Sequence, residues 1–322
     1  VKAAEGGTHR FRTAWLPVFF LLAAGTGCLA PAETLPASGE PLRASGEPLL
    51  IHFLDVGQGD AVLIEGPTGE RVLIDTGPGQ GVVDALARLG VDSLDLMILS
   101  HNHADHIGGA TAVLNAIPVR HVMENGVPHT TVTYRTLLAT LIELDIPVLE
   151  PERRTISLGA ATLEILPPPG DESLGHNDNS IGVLLRHGAF SATFAGDAER
   201  ALWEHWIEEF PDLIVPVQLH KASHHGSRNG DTPEALALLV PELVVVSASA
   251  GNSYGHPHPE ALQRYQAVDA EVLLTSEEGT ISILAFQAGR WERLRSSRAT
   301  APIASPLTLA DPLEGSGLHP GL

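Results

Sequence analysis

From residue 49 onward the chain alternates short apolar runs with glycine-containing breaks. LLIHFLDVG, DAVLIEG and RVLIDTG read as three successive strands. GVVDALARLG then spaces its apolar residues for a helix, and LDLMILS is an apolar run of the length of a buried strand. HIGGATAVLNAI and TYRTLLATLIELD read as helices, with strands at HVMENG and IPVLE. The pattern then restarts. TISLG, ATLEILPP, IGVLLRHG and AFSATFAGD read as strands, followed by the helix AERALWEHWIEEF. LIVPVQLHKAS, ELVVVSAS, EVLLTS and TISILAF complete the strand set, with helices between them. Two blocks, each opening on meandering strands and closing in strand–helix units, predict an α/β chain in which two sheets pack face to face with helices outside. The glycine-rich VGQGD (56–60) has no helix signal after it, so it reads as a tight hairpin turn rather than a nucleotide cradle.

The ends carry a different texture. Lys2, Arg10 and Arg12 precede AWLPVFFLLAAGTGC, which has the length of a signal-peptide core. Together with the small residues before Cys28 it resembles a bacterial lipoprotein signal, in which that cysteine is the lipidation site. ASGEPL then occurs twice, at 37–42 and 44–49, in a Pro/Gly/Ser/Ala-rich stretch that reads as a flexible tether. The expected organisation is a signal peptide over 1–28, a linker over 29–49, one folded domain over 50–295 and a disordered tail over 296–322. The expected location is outside the cytoplasm, as a membrane-anchored lipoprotein or a secreted or periplasmic protein.

Composition narrows the chemistry. A chain of 322 residues that is 43% hydrophobic, with 32 Gly and 24 Pro, can bury a large core and still turn often, which disfavours a helical bundle. Aromatic residues make up 5%, too few for a stacking platform along single-stranded nucleic acid. The formal charge of −20 opposes processive binding of duplex DNA. A single cysteine excludes internal disulfides and thiolate zinc sites, so any metal must be held by His and Asp.

Such residues are concentrated at one place. LSHNHADHIGG puts His101, His103, Asp105 and His106 directly after an apolar run, a pattern expected by chance roughly 0.002 times in a chain of this composition. His101 and His103, two apart at a strand end, can point the same way, and Asp105 and His106 follow in the turn before a helix. Asp197 ends the strand AFSATFAGD, suited to bridging two ions. His224 and His225 end another strand in HKASHHGS, and Asp75 ends a third in IDTG, placed to orient a ligand from behind. One or two divalent ions, zinc or manganese in the first place, suit this ligand set.

HNHADH, AGD and HHGS in this order resemble the metallo-β-lactamase superfamily, an αββα sandwich with a one- or two-metal hydrolytic site. FLDVGQGDAVLIEG…RVLIDTG and YGHPHPEAL…TSEEGTISI resemble more narrowly its ComEC/Rec2-type competence metallo-hydrolase domain, over nearly all of 50–286. The resemblance implies that His101 and His103 bind one ion and Asp105 and His106 the other, with Asp197 bridging and His224 completing the second. The superfamily's usual third histidine for the first ion is replaced by Asn179 and Ser180 in GHNDNSIGV; His176 and Asp178 are the candidates to fill that place. It implies catalysis by Asp105, Asp197, His225 and His256, with His258 beside His256 in a proline-rigidified loop facing the substrate. Lys221, His225, Ser227 and Arg228 are expected to cradle a phosphate. The implied reaction is metal-assisted hydrolysis of a phosphodiester, in DNA (single-stranded DNA among the candidates) or a smaller nucleotide. The alternatives are a lactone, thioester or β-lactam hydrolase on the same fold, and a tethered module whose metal is not catalytic. His103 stands where diiron flavoproteins of this fold carry glutamate, which argues against redox chemistry.

Overall fold

A computed structural model describes residues 47–294. The signal, Cys28, nearly all of the linker and the tail lie outside the described residues. The chain opens with β1 (Leu49–Phe53), β2 (Val62–Glu65) and β3 (Arg71–Ile74), an antiparallel meander. β4 (Leu96–Ile98), β5 (Val122–Met123) and β6 (Val148–Leu149) extend it in parallel. β7 (Thr155–Leu158), β8 (Ala161–Leu166), β9 (Gly182–His187) and β10 (Phe190–Phe194) begin a second antiparallel meander. β11 (Leu219–Lys221), β12 (Leu243–Val246) and β13 (Glu271–Leu274) continue that sheet in parallel. β14 (Ile281–Ala285) and β15 (Trp291–Leu294) return to the first sheet, β14 pairing with β1. The first sheet therefore has eight strands and the second seven, and each is mixed.

Alternation explains the packing. In β1, Leu49, Ile51 and Phe53 point between the sheets and meet Leu163, Val183, Leu185, Phe190 and Ala192 of the second sheet. The opposite faces are covered by helices. α1 (Gly81–Arg88), α2 (Ala104–Ile107), α3 (Ala110–Ala116) and α4 (Val132–Glu143) belong to the first half. Leu86, Ile107, Val113 and Leu137 from these four helices pack on Leu63, Leu73 and Met97. α5 (Arg200–Glu209), α6 (Pro233–Leu239) and α7 (Pro259–Ala267) cover the second, with Trp203 and Trp206 wholly buried. The short α8 (Thr275–Glu278) leads into β14. The two-sheet, helix-flanked α/β sandwich expected from the sequence is the architecture observed.

Three local readings change. The predicted single helix over 106–117 is broken into α2 and α3 at Gly108–Gly109, which press on the backbone of Thr76, Pro78 and Gly79 so closely that any Cβ would collide. Strand β11 is confined to Leu219–Lys221, the last part of LIVPVQLHKAS, and β15 has no counterpart in the sequence reading. VGQGD does lie in the β1–β2 hairpin connection, but it is not a tight turn. It folds inward as a loop in which Asp60 N–H donates to Asp105 O and Gly77 N–H to Asp60 O. Gly59 (φ 152°) lies so near the Asp105 carbonyl that a side chain there is excluded. Among the described residues no helix is long and apolar enough to cross a membrane.

Candidate metal centre

The parallel pairings bring the chemistry to one edge. β3 and β4 run side by side, so Asp75 and Ser100 emerge together, tied by Asp75 N–H to Ile98 O at 2.8 Å. β10 and β11 do the same for Asp197 and the 223–226 turn, where His224 N–H donates to Gly196 O. All four points lie past the C-terminal ends of parallel strands, where open α/β sheets place their ligands.

Two groups of donor atoms meet there. In the first, His106 Nε2 lies 3.1 Å from Asp197 Oδ1, and His225 Nε2 lies 3.3 Å from Asp105 Oδ2 and 3.6 Å from Asp197 Oδ1. Two donors about 2.1 Å from one tetrahedral zinc would stand about 3.4 Å apart, so these separations fit a shared ion. His106 Nε2, His225 Nε2 and Asp197 Oδ1 are buried and lack any hydrogen-bond partner, the condition of groups shaped for a cation. In the second group, His101 Nε2 lies 3.1 Å from His103 Nδ1 and 3.8 Å from Asp197 Oδ2. Asp197 thus faces both groups, one oxygen to each.

Surrounding residues fix which nitrogen is free. Asp75 Oδ2 lies 2.9 Å from His106 Nδ1, so that nitrogen carries the proton and Nε2 presents its lone pair. Asp75 is held in turn by the Ser100 N–H and hydroxyl at 2.7 and 2.8 Å. His225 Nδ1 lies 3.0 Å from both the Ser247 carbonyl and Asp60 Oδ1, two acceptors, which sets the same tautomer. Asp60 is buried and receives the Lys221 ammonium. Ser180 takes the position expected to hold the missing histidine; its hydroxyl accepts from Asp197 N–H at 3.2 Å and lies 3.3 Å from His101 Nδ1.

Charge in this cluster is poised for a cation. Burial alone would lower the His106 pKa, but Asp197 and Asp75 outweigh it and hold the ring well above the ordinary histidine range. Burial likewise opposes the proton on His225, and Asp60 and Asp197 push it up to about 9. Burial and His106 hold His101 well below its ordinary value. Burial raises the Asp197 carboxyl, while His106 and His225 more than reverse this and keep it ionised. A divalent ion held here would have to displace protons from both rings, so its binding would weaken as pH falls.

Adjacent histidines diverge because the turn is left-handed at three successive residues, with φ of 48° at His224, 54° at His225 and 75° at Gly226. The geometry brings His225, and not the expected His224, to Asp105 and His106. His224 instead puts Nδ1 3.0 Å from Glu199 Oε1 and Nε2 3.6 Å from Asp197 Oδ2. His225 is therefore buried beside Asp105, His106 and Asp197 at the floor of the cavity. Lys221 is absent from any phosphate cradle, being 2% exposed and paired to Asp60. Ser227 is buried, and its hydroxyl accepts from Asn229 N–H. His258 accepts from Arg228 N–H at 3.1 Å and starts α7. Asp178 is no ligand: it accepts from the Glu199 and Leu202 N–H groups at the start of α5. The His176 ring lies 5.5 Å from that of His103.

The donor groups floor a cavity of about 390 Å³ whose walls include Gln58, His129, Asn177, His224, Tyr254 and His256. Burial, with His225 and His224 nearby, pushes His256 down to about 4, so its ring is neutral at physiological pH. The sequence reading missed Asp60, Ser100, Glu199 and His129. Asp60 and Glu199 carried a signal, an acid before a buried strand and an acid two residues after Asp197.

The family model for the metallo-beta-lactamase superfamily matches residues 54–249. ComE operon protein 3 of Bacillus subtilis is 29% identical over 253 residues, covering 72% of this chain and 32% of that protein. Recombination protein 2 of Haemophilus influenzae is 26% identical over 242 residues, covering 73% and 28%. The chain thus spans about a third of the length of the curated relatives it matches. Tm1679, a solved metal-dependent hydrolase of the β-lactamase superfamily, is 13% identical with a TM-score of 0.49, covering 77% of this chain and all of that one. With its paired sheets, its strand-edge cluster of His and Asp, and the family match over most of its folded part, this chain belongs to the metallo-β-lactamase superfamily.

Proposed function

We propose that the protein is a metal-dependent phosphodiesterase acting on nucleic acid, with single-stranded DNA or a short nucleotide as substrate. One observation carries the choice among hydrolases: the His256 imidazole, the Gln58 and Asn177 amides and the Thr131 hydroxyl line the cavity above the donor groups, where they can donate hydrogen bonds to phosphate oxygens. A phosphodiester anion asks for hydrogen-bond donors around its oxygens. The name of recombination protein 2 agrees with a nucleic-acid substrate.

In this reading Asp105, His106, His225 and Asp197 would hold one divalent ion, and His101, His103 and Asp197 the other, zinc or manganese in each case. Bound ions would supply an activated water and neutralise charge on the scissile phosphate. The chain's own groups do the rest. Asp75 and Asp60 hold the rings of His106 and His225 in the liganding tautomer. His256, neutral, offers an N–H to a phosphate oxygen without adding charge. His224, its Nδ1–H held by Glu199, presents the Nε2 lone pair to the cavity, where it would accept the proton lost by the attacking water and pass it to the leaving oxygen. The N-terminal signal and lipid attachment at Cys28 remain part of the proposal and put the enzyme outside the cytoplasm.

The test is hydrolysis of bis-p-nitrophenyl phosphate and of an end-labelled single-stranded oligonucleotide by the full chain, with Mn²⁺ or Zn²⁺, beside His103→Ala. Metal-dependent cleavage that the variant abolishes is the expected result. Tight metal binding with no cleavage of either substrate, and turnover of a lactone or thioester instead, would overturn the reading.

A further inference from the structure

Behind the metal-side cavity lies a second cleft, of about 340 Å³, where Arg200, Arg228 and Arg264 converge with Glu199, Asn229 and Thr232. The three arginines come from separate places in the chain: the start of α5, the turn after the histidine pair, and the last turn of α7. Their convergence is unexpected in a chain of net charge −20.

Each is free for an anion to a different degree. Arg264 is pinned by Nη1 to Asp231 O and by Nη2 to Arg228 O, both at 2.8 Å. Those acceptors are neutral carbonyls, so its charge is uncompensated by them, and three of its five N–H groups remain. Arg228 pairs with Glu260 at 3.5 Å and Arg200 with Glu204 at 3.6 Å, both across exposed surface. Exposed pairs of this kind contribute little and exchange readily for a phosphate. The carboxylate in the lining, Glu199, is engaged by His224 and by the Asn177 amide at 3.2 Å.

The same contacts make the wall between the two cavities. Glu199 lines the cleft and holds His224, which lines the metal-side cavity. Arg228 N–H binds His258, two residues from His256 on that cavity's rim. The geometry points to the cleft as a binding site for a second phosphate of the substrate, one flanking the scissile phosphodiester along an oligonucleotide. This inference rests on the phosphodiesterase reading. It gives an acidic protein a local route to hold a polyanion: three guanidinium groups set beside the reacting centre rather than a basic surface.

The experiment compares the full chain with Arg200→Gln/Arg228→Gln, and with Arg293→Gln on β15 of the other sheet as a charge control. The first readout is the ratio of kcat/KM for a short oligothymidylate to that for bis-p-nitrophenyl phosphate, which has one phosphate. The double variant is expected to lower that ratio about tenfold, through KM, from the loss of charge-assisted hydrogen bonds. The control should leave it unchanged. The second readout is anisotropy of the labelled oligothymidylate in EDTA, which needs no hydrolysis; binding should weaken, and its salt dependence should flatten by about 0.7 per lost contact. Cleavage of bis-p-nitrophenyl phosphate with both readouts unmoved in the double variant overturns the cleft and leaves the phosphodiesterase reading standing. Binding that the double variant loses, without cleavage of either substrate by the wild type, overturns that reading and keeps the cleft. A wild type that neither binds nor cleaves overturns both.

Discussion

Replacing Lys221 with Met isolates the buried ion pair behind His225. Lys221 and Asp60 side chains are 2% and 4% exposed, so solvent does not screen their attraction. The ammonium also donates to Ala222 O at 2.7 Å. Met fills similar volume but leaves the Asp60 carboxylate facing the His225 ring at 3.0 Å and the His106 ring at 4.0 Å. Breaking such a pair on one side costs about 3–5 kcal/mol, and Met's apolar burial offsets part, so a loss of about 3 kcal/mol is expected. Urea unfolding of the full chain in EDTA at neutral pH measures it, as a lower midpoint at unchanged slope. Adding Asp60→Asn removes the stranded charge, so the double variant should be more stable than the sum of the single losses by more than about 1 kcal/mol. Burial raises the Asp60 carboxyl, yet Lys221 and His225 hold it below its ordinary value of 3.8. A depressed folded-state value means that its stabilisation is complete above the unfolded value and is lost only as pH falls through the folded one. In Lys221→Met burial prevails, the carboxyl rises, and the deficit shrinks as the solution is acidified. A loss under about 1 kcal/mol, or a deficit that grows in acid, would refute the reasoning.

Three other outcomes separate the roles assigned above. His225→Ala should lose one equivalent of metal by elemental analysis, whereas His224→Ala should keep its metal and lose roughly 10²–10⁴-fold in kcat. Asp75→Asn, which removes the acceptor orienting His106, should weaken metal binding about 10–100-fold in a chelator competition while the fold is kept by circular dichroism. Tritiated palmitate fed to expressing bacteria should label the full chain and fail to label Cys28→Ser; equal labelling of both would remove the lipid anchor from the proposal.

What the sequence disclosed follows a physical rule. Asp75, His101 and Asp197 were legible because each ends an apolar run, and a buried parallel strand must hand its chain to a polar residue where it leaves the sheet. Their association was legible only through the family pattern, since the register that aligns β3 with β4 and β10 with β11 is a long-range property. Asp60 was hidden because glycines usually signal a turn, and nothing local shows that Gly59 is there to let Asp105 approach. The choice between His224 and His225 was hidden for a related reason. Two neighbouring side chains at a strand end are interchangeable until the backbone angles are known, and here both residues are left-handed.

That turn has a consequence for how the protein can change. Left-handed backbone at a residue other than glycine or asparagine costs roughly 1–2 kcal/mol, and His224 and His225 both bear it. Glycine at either position would relieve the strain. A campaign that selects variants for heat resistance alone should therefore enrich substitutions in this pair and return a hardier, inactive protein. The two histidines form a site where thermostability and turnover pull in opposite directions, and selection for both at once is needed to hold them.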